Sequence, residues 1–263
     1  MTRDPVKLAV VGDIHWHIDR RRTFHHHFET VHEVADFLVL PGDLTGSGLP
    51  EEMALLANVL AQVRVPVIVV LGNHDMHTDH TEEVVAILRD AGVHVLRGGG
   101  DAVTHTVRGL TVGFCGTKGF CGGFGARCLT PFGEPTIKSF ISETKEEAAR
   151  IEYDLQNLPT DLRIVVLHYS PIEATVHGEP PELYPFLGSS LLCEPIDRLG
   201  ANLVVHGHAH YGSERGHTES GIPVRNVALP VLKRSYAIFE FSPDALLLPP
   251  IDGDPDLILP VDD

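Results

Sequence analysis

A short apolar run that ends in a polar, glycine-containing stop recurs along this chain, and that pairing constrains its fold most. Leu8–Val11 runs into Gly12-Asp13-Ile14-His15, Phe37–Leu40 into Pro41-Gly42-Asp43, and Pro66–Leu71 into Gly72-Asn73-His74-Asp75. Further on, Arg163–Leu167 meets His168, and Asn202–Val205 meets His206-Gly207-His208-Ala209-His210. Runs of this length without alternation mark strands covered on both faces, as in a parallel sheet. Each of them delivers an Asp, Asn or His at its carboxyl end.

Helical periodicity fills the intervals. Met53, Leu56, Leu60 and Val63 recur at helix spacing after Pro50-Glu51-Glu52, a combination suited to a first helical turn. Thr81 reads as the N-cap of a helix carrying Val84, Leu88 and Ala91, with Gly92 as its stop. Ala148, Ile151, Leu155 and Leu158 mark a third helix, and Thr144-x-x-Glu147 reads as its capping box. Alternating strands and helices predict an α/β sheet, whose ligands bind beyond the carboxyl ends of the strands. The polar stops, far apart in sequence, are therefore expected on one edge.

The stretch Gly98–Gly133 departs from this pattern. Val103–Val107 and Leu110–Phe114 read as a hairpin of a second sheet, and Cys115–Cys128 as a long surface loop. No linker divides the chain, so one domain is expected over residues 1–242, followed by a Pro- and Asp-rich tail at 243–263.

Charge narrows the partners. With 20 Lys+Arg against 36 Asp+Glu the net charge is -16, which disfavours duplex nucleic acid and anionic membrane surfaces, since both select clustered cations. No apolar stretch is long enough to span a bilayer. The N-terminus enters strand-like sequence almost at once, leaving no room for a signal peptide, so a cytoplasmic location is expected. The 4 cysteines lack paired metal-ribbon spacing and read as buried or tolerated thiols.

Taken in order, the blocks at Asp13/His15, Asp43, Asn73/His74, His168 and His208/His210 resemble the signature blocks of the calcineurin-like metallophosphoesterases. The resemblance spans residues 12–210 and implies a four-layer αββα sandwich, two mixed sheets with helices on both outer faces. It implies that Asp13, His15, Asp43 and His210 hold one divalent ion, while Asn73, His168 and His208 complete a second, with Asp43 bridging. Taken singly, each residue has an ordinary alternative: a helix-capping Asp, a core or surface His, a turn Asn. His74 is implied as the group that contacts the phosphoryl oxygen or protonates the leaving group, with Asp75 orienting or charging its ring.

Two divalent ions against two carboxylates leave a centre of about +2, attractive to a phosphoryl group within an otherwise acidic protein. The implied reaction is metal-activated hydroxide attack at phosphorus. Mixed Asp/His/Asn ligation suits Mn, Fe or Zn, with Mn the first choice. Size and pattern look like small bacterial-type phosphodiesterases, so a small diester such as a cyclic nucleotide is the expected substrate. A phosphomonoesterase or protein phosphatase is the alternative within the same mechanism. Alternatives of other classes are a non-catalytic metal-bound scaffold and a redox or mononuclear metal protein using the cysteine loop.

Substrate contacts are expected from Lys118, Phe120, Phe124 and Arg127 on that loop, with Tyr169 and His177 nearby, to stack a base or pair a phosphate. Ordinary solvated side chains are the competing reading. His17, His77 and His80 read as loop histidines, the run His25–His27 as a solvated face of a first helix, and His206 as a hydrogen-bonding support behind the last block. Nothing in the sequence identifies an oligomer interface.

Overall fold

The computed structural model describes residues 4–17 and 28–242, so the His25–His27 run and the 243–263 tail lie outside the described residues. In chain order the strands are β1 (Val6–Val10), β2 (Phe37–Pro41), β3 (Val67–Val70), β4 (His94–Val95), β5 (Val103–Val107) and β6 (Leu110–Thr117). They continue with β7 (Leu162–Leu167), β8 (Leu203–His206), β9 (Arg215–His217), β10 (Pro223–Asn226) and β11 (Ala237–Phe241). One sheet has the order β11-β1-β2-β3-β4 and the other β5-β6-β7-β8-β10-β9. Both are mixed: β11 lies antiparallel on β1 beside the parallel β1-β2-β3-β4 run, and β5 and β9 flank the parallel β6-β7-β8-β10 run in the same way.

Period-two geometry decides which face each strand residue serves. Val112, Phe114, Ile164, Val166, Leu203 and Val205 of the second sheet join Leu8, Val39 and Ile68 of the first in one fully buried core. Phe37 and Phe114 meet there at 5.0 Å between ring centroids. The alternate residues Cys115, Val165, Leu167 and Val204 face outward, under Ile151, Leu155, Leu192 and Ile196. Each such side chain contributes about 1.5–3 kcal/mol on burial, so the apolar runs specify the layers directly.

Among the described residues, four helices of ten residues or more are numbered α1 (Pro50–Leu60), α2 (Thr81–Asp90), α3 (Pro135–Gln156) and α4 (Ser190–Leu199). α1 and α2 cover the first sheet through Met53, Leu56, Val84 and Leu88, while α3 and α4 cover the second. The result is the expected αββα sandwich of two mixed sheets. No helix among the described residues is long and apolar enough to cross a membrane.

Three local readings need correction. The Thr144-x-x-Glu147 pair is no capping box, because α3 starts nine residues earlier with Pro135 in its first turn. Its opening turns are exposed and carry little apolar periodicity, whereas Thr144 and Glu147 are buried in mid-helix. Thr81 is the first helical residue, with His80 at the cap position and no side-chain capping bond. Cys115–Cys128 is not one surface loop: Cys115–Thr117 complete β6, and Cys121 is buried.

Candidate metal centre

The parallel strands β1, β2, β3, β7 and β8 all point their carboxyl ends to one side, and the polar stops collect there. The two carboxylates are buried, and their partners are imidazoles and backbone N–H groups. His208 N–H donates to both oxygens of Asp13 at 3.1 and 3.0 Å, and His210 Nε2 lies 3.0 Å from Asp13 Oδ1. His74 N–H donates to Asp43 Oδ1 at 2.9 Å, and His168 Nε2 lies 3.3 Å from the same oxygen. His15 Nε2 lies 3.5 Å from His210 Nε2 and 3.8 Å from Asp43 Oδ2.

Donor atoms gather in two groups, Asp13-His15-Asp43-His210 and Asp43-His168-His208, each with its atoms within 4.8 Å of one another. Asp43 belongs to both. Asn73 Oδ1, at 3.0 Å from His168 Nε2, adds to the second group.

Tautomers test whether a cation fits. A carbonyl can only accept, so His168 Nδ1–H donates to Pro41 O at 3.0 Å, which in the neutral ring leaves the Nε2 lone pair facing Asn73 Oδ1 and Asp43 Oδ1. Three acceptors converging on one point are repulsive until a cation lies among them. His208 Nε2–H likewise donates to Phe186 O at 3.2 Å, leaving Nδ1 as its ligand atom. Burial depresses the His208 ring to about 3, which keeps it neutral and ligand-competent. Burial also lowers the pKa of the His15 ring. Burial alone would raise the Asp13 carboxyl, but the His210 hydrogen bond and neighbouring imidazoles hold it below its ordinary value.

The backbone is shaped for this arrangement. Asp13, His15, Asp43 and His208 have φ of 55°, 41°, 48° and 70°, a left-handed conformation uncommon outside glycine and typical of functional sites. Two glycines leave room for the carboxylates: a Cβ on Gly72 would sit 2.0 Å from Asp43 Oδ1, and one on Gly207 would sit 2.1 Å from Asp13 Oδ2.

His74 stands at the rim, its side chain 45% exposed. Its Nδ1–H donates to Gly46 O at 2.8 Å, so Nε2 faces the centre, 4.0 Å from Asp43 Oδ2, and the ring packs edge-on against His15 at 4.6 Å. Asp75 does not orient that ring, contrary to expectation. Fully buried, its carboxylate accepts from Leu44 N, Thr45 N, Thr45 Oγ1 and Gly72 N, tying the β2 and β3 stops together. Burial and the nearby Asp43 charge raise it to about 6.

The expected substrate wall is also redrawn. Lys118 is turned inward: its Nζ donates to Gly119 O at 2.8 Å and sits 4.4 Å from the Phe120 ring and 5.3 Å from that of Tyr169. Phe120 packs on Phe140, and Tyr169 is buried with its ring 4.3 Å from that of His208. These three side chains form a support behind the centre because their apolar surface is better satisfied there than in water. Phe124 is buried in a small apolar cluster of its own, whereas Arg127 lies on the exposed turn Gly125–Arg127 and His177 pairs with Glu173 at 3.8 Å.

His17 lies 3.7 Å from Glu52, His80 meets Glu83 at 3.2 Å and His77 is exposed, so none of the three joins either donor group. Neither group among the described residues contains a cysteine, and burial raises the pKa of the Cys115, Cys121 and Cys193 thiols, which argues against the cysteine-loop metal reading. His206 does support its block, with Nε2 accepting from Thr175 Oγ1 at 2.8 Å. The orienting carbonyls of Pro41, Gly46 and Phe186 escaped sequence reading, since a backbone carbonyl has no residue signature.

No curated protein matches the sequence. Among solved structures, a phosphopantetheinyl hydrolase (PptH) from Mycobacterium tuberculosis superposes with a TM-score of 0.64 at 17% identity, covering 95% of this chain and 100% of that one. GAP50, described as the anchor in the inner membrane complex of Plasmodium, gives 0.53 at 14% identity over 91% and 82% of the two chains. A putative 5'-nucleotidase from Staphylococcus aureus gives 0.54 at 15% identity over 90% of this chain and 50% of that one. At these identities the likeness is one of fold. The sequence model for calcineurin-like phosphoesterases matches residues 6–212, a span that contains both donor groups and His74, and the chain therefore belongs to that family.

Proposed function

We propose that this metal-dependent phosphoesterase is a phosphodiesterase for small substrates, a cyclic nucleotide or related diester, working in the cytoplasm with two Mn²⁺ ions. The observation that carries a catalytic reading over a scaffold is the placement of His74: a half-exposed imidazole whose free nitrogen faces the two donor groups. A scaffold has no use for that side chain.

Asp13, His15, Asp43 and His210 would hold one ion, and Asp43, Asn73, His168 and His208 the other. Bound there, the ions supply positive charge for the phosphoryl oxygens and acidify water into a nucleophile at neutral pH. The protein's own contribution is orientation. The Gly46 carbonyl fixes the tautomer of His74, so its Nε2 carries the proton when the ring is charged and presents it toward the leaving-group oxygen.

Charge favours a diester over a monoester. Asp13 and Asp43 are met by imidazoles and backbone N–H groups, and Lys118 is turned away into its own support. A centre whose surplus charge comes from the ions alone suits the single negative charge of a diester better than the near-double charge of a monoester. Membrane surfaces and duplex nucleic acid remain poor partners for a chain of charge -16.

The test is a Mn²⁺-supplemented panel of aryl mono- and diesters with 3′,5′- and 2′,3′-cyclic nucleotides, repeated in chelator. Diester turnover above monoester turnover, lost in chelator, is expected. Preference for monoesters would overturn the substrate assignment, and undiminished turnover in chelator would overturn the mechanism.

A further inference from the structure

Glu147 lies in the middle of α3, on the outer layer of the sandwich, and only 3% of it is exposed. A carboxylate at that depth needs full compensation by hydrogen bonds. It finds them in one turn: Oε2 accepts from Thr117 Oγ1 and from Gly119 N at 2.8 Å, while Oε1 receives Arg150 Nη1 at 3.1 Å. Thr117 ends β6, so the bonds to Oε2 straddle Lys118, holding the Thr117 hydroxyl on one side and the Lys118–Gly119 peptide on the other.

The Lys118 carbonyl is where this clamp reaches the metal centre. It accepts from His168 N and Tyr169 N, each at 3.0 Å, just past the end of β7. His168 is a ligand of the second donor group, and the Tyr169 ring packs on His208, the other imidazole of that group. His168 thus rests directly on a turn that Glu147 holds, and the His208 ring packs on the Tyr169 ring seated by the same turn, whereas Asp13, His15 and His210 of the first position make no contact with that turn and are held from β1 and the loop after β8.

We propose that Glu147 is a positioning residue for the second metal position, acting through the 117–119 turn. The proposal rests on the two-metal reading above. It predicts an asymmetric defect, since loss of the clamp loosens His168 and His208 while Asp13, His15 and His210 keep their own supports. Outer partners of metal ligands typically change affinity by about 10- to 100-fold, and a group one bond further out should fall near the lower figure, about 10-fold.

The experiment is a Mn²⁺ titration of the metal-free full chain, following free Mn²⁺ by its electron paramagnetic resonance signal. Wild type should bind two ions. Glu147→Ala should weaken one binding step about 10-fold and leave the other unchanged, and Glu147→Gln, whose oxygen can still accept from Thr117 and Gly119, should restore it. Should Glu147→Ala fail to fold, Thr117→Val, which removes one donor of the clamp, should weaken the same step by a smaller factor. Thr144→Val is the structural control: its hydroxyl donates to Cys121 O at 2.6 Å from the same buried face of α3, so it should lower the melting temperature without moving either step. Equal weakening of both steps in the Glu147 variants, the same weakening in Thr144→Val, or wild-type binding in a folded Glu147→Ala or Thr117→Val would each overturn the proposal. A wild-type chain that binds no Mn²⁺ would instead overturn the two-metal reading itself.

Discussion

Adding one methyl group at Gly72 or at Gly207 should act on the metal centre in two different ways. A Cβ on Gly72 would lie 2.0 Å from Asp43 Oδ1 and 2.3 Å from Asp43 N, whereas contacts under 3.0 Å are essentially never tolerated. The Asp43 carboxylate must therefore move by about 1 Å, and a misplacement of that size costs about 10²-fold in rate. Overpacking a filled site costs about 1–3 kcal/mol, a melting-temperature loss of roughly 2–12 °C for a chain of this size. On Gly207 the clash is with Asp13 Oδ2 at 2.1 Å, and Asp13 belongs to one donor group only. Gly72→Ala should then weaken both ions, because Asp43 is shared, and Gly207→Ala should weaken one. Metal content by elemental analysis, Mn²⁺ titration and steady-state turnover read the difference. Gly92→Ala is the control: its φ is +81° but its Cβ would meet open space, so it should cost about 1 kcal/mol and leave metal content and turnover intact. A folded Gly72→Ala protein with two tightly bound ions and wild-type turnover would refute the reasoning.

Other consequences are equally direct. His74→Asn should keep both ions while lowering kcat by about 10²–10⁴-fold, with the smaller loss on aryl leaving groups that need no proton; equal losses on alkyl and aryl diesters would contradict a proton-donating role. Asp75→Ala should orphan the buried N–H groups of Gly72, Leu44 and Thr45 at about 1–3 kcal/mol each, seen as a lower denaturation midpoint in urea. Asp154 has one oxygen on Gly100 N and the other buried without a partner, and burial raises its pKa. A raised carboxyl stabilises the fold below its unfolded value and loses that contribution as pH rises through the folded one. Asp154→Asn should therefore raise the melting temperature at pH 7.5 and change it little at pH 4; an equal gain at both would count against the argument.

The sequence was most legible where burial and chemistry coincide. Apolar runs such as Phe37–Leu40 read as strands covered on both faces, which placed the polar residue after each on one edge, while the division of those residues into two donor groups came from the family resemblance. Legibility failed where a polar residue serves the interior. Thr144 and Glu147 looked like a helix cap because such residues usually cap, but here they face a turn that needs hydrogen-bond acceptors and donors. Lys118, Phe120 and Tyr169 looked like substrate contacts because cations and aromatics often are, yet their direction depends on packing between β6, β7 and α3 that no local pattern encodes. Asp75 went astray for a similar reason: adjacency to His74 in sequence says nothing about which way a carboxylate turns in a tight loop. The strands β9, β10 and β11 also went unread; β9 and β10, of 3 and 4 residues, are too short to stand out.

The left-handed backbone at Asp13, His15, Asp43 and His208 has an evolutionary consequence. Each such residue costs about 1–2 kcal/mol relative to an ordinary conformation, a strain that glycine at the same position would largely relieve. A lineage freed from selection for its chemistry could therefore drift toward a firmer fold by discarding its own ligands. Activity and durability pull against each other most directly at His15, since Asp13 and Asp43 also satisfy the N–H groups of His208 and His74, so an inactive descendant with glycine at position 15 should outlast its working ancestor on heating.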